Sequence, residues 1–443
     1  MSFSASFDSL RVRDGTVDTG DAVRLSVATD FGHLVRRVPG AVVRPGSVND
    51  VVAVVGWAAE HGVPVTARGA GHSMSGQAQL EGGIVIDMTS LRQVHSVDRE
   101  QIVVETGARW STVLSATLPL VLAPPTLTDY LELTVGGTLS VGGVGGMSFR
   151  HGAQTDNVLA LEVVTGDGRL VTCSPTRSRD LFDAVRAGFG RSGLIVRATI
   201  RLVPAPHSVR CYRLVYDDLR TFMADQCRLI AGAGPDYVGG YAKIANDGWR
   251  YKLEMATYET HLDEDDALLQ TLRHRRDGTE VEEFGYGKFL DRTAPGVTAR
   301  VEAGEWEWPH PWLNVFLPDS TADVVIERAV AELSPADLEN FGLVLTYPIP
   351  TAALPTPLLR VPNEPITYLF ALLLSADPRQ PGAVDQMTAR TRRIHELVRS
   401  AGGFLYPVGL PALTPDDWKA HYGPLWPQVT ATKNTYDPHR ILS

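Results

Sequence analysis

Residues 66–79 read TARGAGHSMSGQAQ, and the imidazole of His72 stands in a run too small and too rich in glycine to hold a stable helix. Gly69, Gly71 and Gly76 fall within eight residues. A backbone without Cβ atoms turns sharply and approaches its neighbours closely. Successive N–H groups in such a turn converge on an anion, typically a phosphate. Taken alone, the same stretch is equally a surface turn carrying a solvated histidine. Its flanks decide. Directly before it, VPVTAR (63–68) is a short β-branched strand, so the glycines open at a strand end, where α/β folds hold ligands.

Working outward, AVVRPGS (41–47) reads as a strand stopped by Pro-Gly, and GGIVIDM (82–88) and QIVVETG (101–107) as two more. Between the first two lies VNDVVAVVGWAAEHG (48–62), apolar at helical spacing, with Ser47 as N-cap and Gly62 as its stop. Residues 131–152 hold seven glycines and few charges. They are too apolar for a linker and too glycine-rich for a regular helix. They read as packed irregular backbone pressed against a flat ligand, or else as a set of strand bends. NVLALEVVTGDGRLVTCS (157–174) is a hairpin around Gly-Asp-Gly. SRDLFDAVRAG (178–188) is an amphipathic helix and GLIVRATIRLV (193–203) a strand. The intervening GFGRSG matches G-x-G-x-x-G, but a dinucleotide fingerprint needs the strand first and the helix second. A Rossmann site is therefore rejected.

The totals narrow the function. The chain has 443 residues, enough for roughly two or three domains. A hydrophobic fraction of 44% and a mean hydropathy of −0.04 suit a soluble protein with a full core. Net charge is −10 with no basic run, which argues against nucleic acid as a partner. Cys173, Cys211 and Cys227 are widely spaced, so neither a disulfide framework nor a zinc knuckle is expected. No leader-like segment, long apolar span or Asn-x-Ser/Thr acceptor occurs, and the expectation is a cytoplasmic protein without membrane contact. PAPHS (204–208) marks a boundary, beyond which aromatics and acids increase. The end of the chain, NTYDPHRILS, looks like a tail tied onto another domain.

Seven segments together resemble the FAD-linked oxidases of the vanillyl-alcohol-oxidase (PCMH-type) superfamily, most closely the cytokinin dehydrogenases. They are GAGHSMSGQA (69–78), TDYLELTVGGTLS (128–140), FRHGAQTDNVLALEVVTGDG (149–168), LFDAVRAGFGRSGLIVRATI (181–200), FLDR (289–292), WPHPWLNVFLP (308–318) and YDPHRILS (436–443). The resemblance implies an α+β fold. A two-subdomain FAD-binding domain would comprise residues 1–206 and 408–443, with an inserted substrate domain at 207–407, a sheet covered by helices.

By the same resemblance His72 bonds the flavin 8α-methyl covalently through a ring nitrogen. Gly69, Ala70, Gly71, Ser73 and Gln77 would cradle the pyrophosphate, with Ala67 nearby. Asp129, Thr134, Ser140, Val144, Ile195 and Ser443 would also touch FAD. Some relatives carry a second, cysteine link; residues 130–151 contain no cysteine, so a single tether is expected. Asp129, in an apolar pocket, would accept the proton of a secondary amine while hydride passes to flavin; the plainer reading is an aspartate capping the turn in TLTDYL. Trp312, Asn314 and Tyr347 match substrate-pocket positions, against ordinary packing as the alternative. His151 and His310 stand without spaced ligand partners, so no metal site is expected. The product would be an imine, hydrolysed to an amine and an aldehyde, with oxygen or a quinone as electron acceptor.

Three departures bear on the substrate. Ala70 stands where plant members usually carry arginine, although Arg68 is close by; Val141 replaces an asparagine; and the sequence stops at Ser443, before a Pro-Gly-Gln that usually follows. A same-fold oxidase acting on another amine or an alcohol, and a flavoprotein that only binds its ligand, are the competing readings.

Overall fold

The computed structural model describes residues 7–443 apart from 233, 246–247, 260–261, 339–341 and 410–411. It is a mixed α+β fold whose described residues form three large sheets. In the first, Ala41–Arg44, Ile84–Asp87 and Val65–Arg68 run parallel in that order, and Thr16–Asp18 is added antiparallel at one edge. The helix Val48–His61 buries Val51, Val54, Val55 and Ala58 against it. Ser47 is the N-cap, as its position suggests, but its hydroxyl makes no cap bond. Asp50 instead accepts the N–H groups of Arg13, Asp14 and Gly46. Gly62 ends the helix in the left-handed region at φ 64°.

The second sheet is antiparallel, in the order Val94–Val97, Gln101–Glu105, Leu194–Arg201, Val158–Val164, Leu170–Cys173. It contains the Gly-Asp-Gly hairpin. The helix Arg179–Val185 precedes GFGRSG and the strand Leu194–Arg201 follows it, the order that excludes a dinucleotide fingerprint.

The glycine-rich run differs from its reading as irregular backbone. It contains two short helices, Val135–Leu139 and Ser148–His151, the first capped by Thr134 Oγ1 accepting from Gly137 N–H. Its glycines answer to protein neighbours. A Cβ at Gly136 would press on Thr106, one at Gly145 on the Leu127 carbonyl, and one at Gly146 on the Tyr237 ring.

The third sheet has eight strands, all antiparallel: Arg275–Gly285, Ser208–Tyr216, Gly248–Tyr258, Tyr237–Ala245, Leu343–Pro350, Ile366–Leu373, Leu313–Pro318 and Phe404–Leu405 in spatial order. Side chains alternate across a strand. Leu313, Val315 and Leu317 therefore join Tyr368, Phe370 and Leu372 beneath the helices Leu219–Ala231, Asp319–Ala331 and Ala383–Ser400. The intervening Phe316 and Leu369, with Tyr347 and Ile349, turn the other way and pack on Val144, Ala153 and Ala187 of the N-terminal half. This second face closes over the glycine-rich run.

The C-terminal tail is bound to the first sheet. Val65 N–H donates to Ile441 O (2.7 Å) and Ser443 N–H to Val65 O (3.2 Å). Asp437, wholly buried, accepts from Ile441 N–H and Leu442 N–H, both at 3.0 Å, and pairs with Lys433 Nζ. Asp437→Ala strands a buried ammonium and two amides. The expected loss is about 3–5 kcal/mol, read as a lowered unfolding midpoint in denaturant.

Candidate active site

The strand Val65–Arg68 delivers residues 69–76 to the junction between the first sheet and the underside of the third. Gly71 has φ 70° and Gly76 φ 79°, conformations that glycine adopts without strain. The loop is held by the segment at Phe31: Phe31 N–H donates to Gly71 O and Gly32 N–H to Ser73 O. Asp30 adds a side-chain clamp, accepting from Ser73 Oγ (2.9 Å) and Gly76 N–H (2.7 Å). Gln77 Oε1 accepts from Ser75 N–H. A Cβ at Gly69 would collide with Thr134 Oγ1, so the loop and the first short helix touch there.

His72 lies in an aromatic enclosure. Its ring stacks on Phe31 at 4.0 Å, and Phe31 stacks on His310 at 4.1 Å, so one phenyl ring lies between two imidazoles. Tyr130, Trp306 and Trp312 complete the surround, at 5.1, 5.9 and 5.8 Å from His72. Burial pushes the His72 pKa down to about 3, helped by the charge His310 would carry. Burial likewise pushes His310 down to about 4, against the opposing bond to the Phe31 carbonyl. Both rings are neutral at ordinary pH, and a neutral ring nitrogen keeps the lone pair that bond formation requires.

Asp129 does not sit in a purely apolar pocket. Arg292 Nη2 donates to its Oδ1 at 3.0 Å, and Tyr237 OH lies 3.2 and 3.3 Å from its two oxygens. Tyr347, fully enclosed, is close enough for Asp129 to help burial hold its phenol protonated. Asn314 lies on the same strand face as Phe316, and its Nδ2 is buried without a partner, as is Nε1 of Trp312.

The remaining expected cofactor contacts are spread over the strand before the loop, the glycine-rich run, the second sheet and the C-terminal tail. Ser140 Oγ donates to Gly136 O, and Gly136 N–H to Thr106 O, whose own hydroxyl donates to Ile195 O. Val144 packs with Tyr347 and Tyr406. Ala67 precedes Arg68, the last residue of the strand, Ala70 is exposed, and Ser443 meets Val65 and Thr66. His151 is exposed and takes part through its carbonyl, which accepts from Asn157. No group of three or more His, Cys, Asp or Glu side chains among the described residues is arranged for a metal ion.

A flat, phosphate-bearing cofactor fits this arrangement. Several buried polar atoms lack partners, among them Arg68 Nη1, both amide atoms of Gln154 and His310 Nε2. Such atoms are costly unless a ligand meets them.

Comparisons with known proteins agree. Residues 39–174 match a family described as FAD binding domain, and residues 245–443 one described as Cytokinin dehydrogenase 1, FAD and cytokinin binding. Cytokinin dehydrogenase 4 of Oryza sativa subsp. japonica is 37% identical, covering 99% of this chain and 90% of the relative. The chain belongs to the cytokinin dehydrogenase family. An "Uncharacterized oxidoreductase ORF5 in fasciation locus" of Rhodococcoides fascians is 40% identical over 97% of this chain and 98% of its own length. Cytokinin dehydrogenase 1 of Arabidopsis thaliana is 34% identical over 94% of this chain and 80% of the relative. The protein is thus an FAD-dependent oxidoreductase of a family acting on CH–NH groups. No helix among the described residues is long and apolar enough to cross a membrane.

Beyond the residues that motif reading finds, this family member gathers Phe31, Tyr130, Trp306, Tyr237, Glu254, Arg292 and Tyr406. Arg292 was visible as the last letter of FLDR and Tyr130 as the neighbour of Asp129. Phe31 and Trp306 carry no local signal. Tyr406 is buried, and its oxygen accepts from Gly143 N–H at 3.0 Å, tying the sheet to the glycine run.

The depressed histidines have a pH consequence. Between pH 6.5 and about 4 the unfolded chain binds protons that native His310 refuses, so stability falls as pH falls. His310→Asn is expected to lose about 2 kcal/mol less than the parent between pH 6.5 and 4.5, measured by denaturant titration at the two values.

Proposed function

We propose that this chain oxidises the C–N bond of a secondary amine of the N6-alkyladenine class, using FAD tethered once, through His72. The observation that carries the substrate class is a pair of buried, unpartnered N–H donors, Trp312 Nε1 and Asn314 Nδ2, the second on the sheet face that carries Phe316 and Tyr347. A buried donor left unmet costs about 1–3 kcal/mol. A flat, apolar heterocycle with ring-nitrogen acceptors meets both donors and fills an aromatic pocket. The relatives named cytokinin dehydrogenases support the same class.

Bound FAD supplies the two-electron acceptor for the hydride leaving the carbon next to nitrogen. Asp129 takes the N–H proton, and the nitrogen lone pair closes the C=N bond. Tyr347 stays a phenol and can donate but not accept the proton in its place. Water then cleaves the imine to an amine and an aldehyde. His72, neutral and enclosed, offers the ring nitrogen for the tether, while Phe31 and Trp306 keep water and protons from it. Gly69, Ala70, Gly71, Ser73 and Gln77 hold the pyrophosphate, with Arg68 as the nearby cation. Ala67, Thr134, Ser140, Val144, Ile195 and Ser443 line the remaining cofactor surface.

Acid precipitation of the purified protein is expected to give a yellow pellet, and His72→Ala a white pellet with flavin in the supernatant. Anaerobic bleaching by N6-isopentenyladenine should outpace bleaching by simple alcohols and other amines. Asp129→Asn should slow it by about 10²–10⁴-fold. Preference for an alcohol would shift the reading to another oxidase on this fold. Failure of every candidate to bleach the flavin would leave a ligand-binding flavoprotein.

A further inference from the structure

Arg292 and Thr293 follow the short helix Tyr286–Leu290, and both reach Asp129, more than 160 residues earlier in the chain. Thr293 Oγ1 donates to the backbone carbonyl of Asp129 and fixes the loop. Arg292 Nη2 donates both to Asp129 Oδ1 (3.0 Å) and to Tyr237 OH (2.6 Å). The Tyr237 hydroxyl is thereby left to share its own proton between the carboxylate oxygens, at 3.2 and 3.3 Å. Behind them Arg292 Nε donates to Glu254 Oε1 at 2.9 Å, and Arg213 Nε reaches Glu254 Oε2 at 3.1 Å. The guanidinium also lies over the Tyr237 and Phe289 rings, 4.6 and 4.4 Å from their centroids. Side-chain exposure is 9% for Arg292, 12% for Glu254 and 32% for Asp129, so the network opens to the site only at its carboxylate end.

The two oxygens of Asp129 are therefore unequal. Oδ1 takes the guanidinium and a share of the phenol; Oδ2 has only the longer share of the phenol. We propose that Arg292 is a positioning residue that turns Asp129 Oδ2 toward the substrate nitrogen, with Tyr237 as the second guide and Glu254 as the anchor of the guanidinium. This rests on Asp129 being the proton acceptor. A planar guanidinium can span a carboxylate on one edge and a second on the other; an ammonium cannot.

The test is anaerobic bleaching of the purified flavoprotein by N6-isopentenyladenine, with flavin content measured on each variant. Arg292→Ala is expected to keep its flavin and its half-saturating amine concentration. Its rate at saturation should fall by about 10²-fold, the size of effect that follows misplacement of a reacting group. Added guanidinium ion should restore much of that rate, whereas Arg292→Lys should stay slow. Tyr237→Phe, lacking one hydroxyl, should slow bleaching less. If Asp129→Asn is slow while Arg292→Ala and Tyr237→Phe both bleach at the parent rate, the positioning role is overturned and the role of Asp129 stands. If Asp129→Asn itself bleaches at the parent rate, the underlying reading of Asp129 fails instead. Should Arg292→Ala yield no folded flavoprotein, Tyr237→Phe decides, and a parent rate there overturns the proposal.

Discussion

A strand presents every second side chain to each of its faces, and the large sheet uses both. Leu313, Val315 and Leu317 belong to the core beneath the helices, whereas Asn314 and Phe316 belong to the face over the glycine-rich run. A slip of one residue would exchange the two sets, placing Asn314 in the apolar core and Leu313 over the site. The apolar face thus fixes the register of the polar one. Tyr347 is paired with Leu369, itself paired with Phe316, so the same constraint carries across three strands. Packing energy accumulated far from the chemistry sets which side chains the site receives.

Local physics made much of this legible in the sequence. Gly62 ends a helix because the left-handed turn there suits it, and the helix-before-strand order around GFGRSG excludes a Rossmann fingerprint there in the fold as it does in the sequence. The loop at 66–79 is at the end of a parallel strand, as its β-branched approach implies. The glycine-rich run was less legible. Composition records that a close approach occurs but not which partner makes it; at 136, 145 and 146 the partners are Thr106, Leu127 and Tyr237. Long-range partners were not legible at all. Phe31 meets His310 across 279 positions, and no short window contains both.

On the proposed tether, the enclosure of His72 joins two requirements that oppose one another. A ring must be accessible to form a bond, yet exposure to water would let it take a proton. Stacking on Phe31 resolves this by covering the imidazole with a surface that accepts no proton and offers no hydrogen bond. His310, on the far side of the same phenyl ring, binds the Phe31 carbonyl through Nδ1 and so helps to hold the plate in place. The segment at residues 30–33 therefore serves the loop twice, through Asp30 on the backbone side and Phe31 on the ring side.

The charges around Asp129 obey a similar economy. Glu254 neutralises Arg292 from behind, and Arg213 shares Glu254 with the acidic outer strand through Glu282. The guanidinium accordingly has a partner whether Asp129 is charged or has taken a proton. A buried cation with a single carboxylate partner would be stranded by that proton, at a cost of several kcal/mol. With two partners on opposite edges, one can change its charge during a reaction while the other keeps the cation compensated. That division of labour suits the proton-accepting role proposed for Asp129.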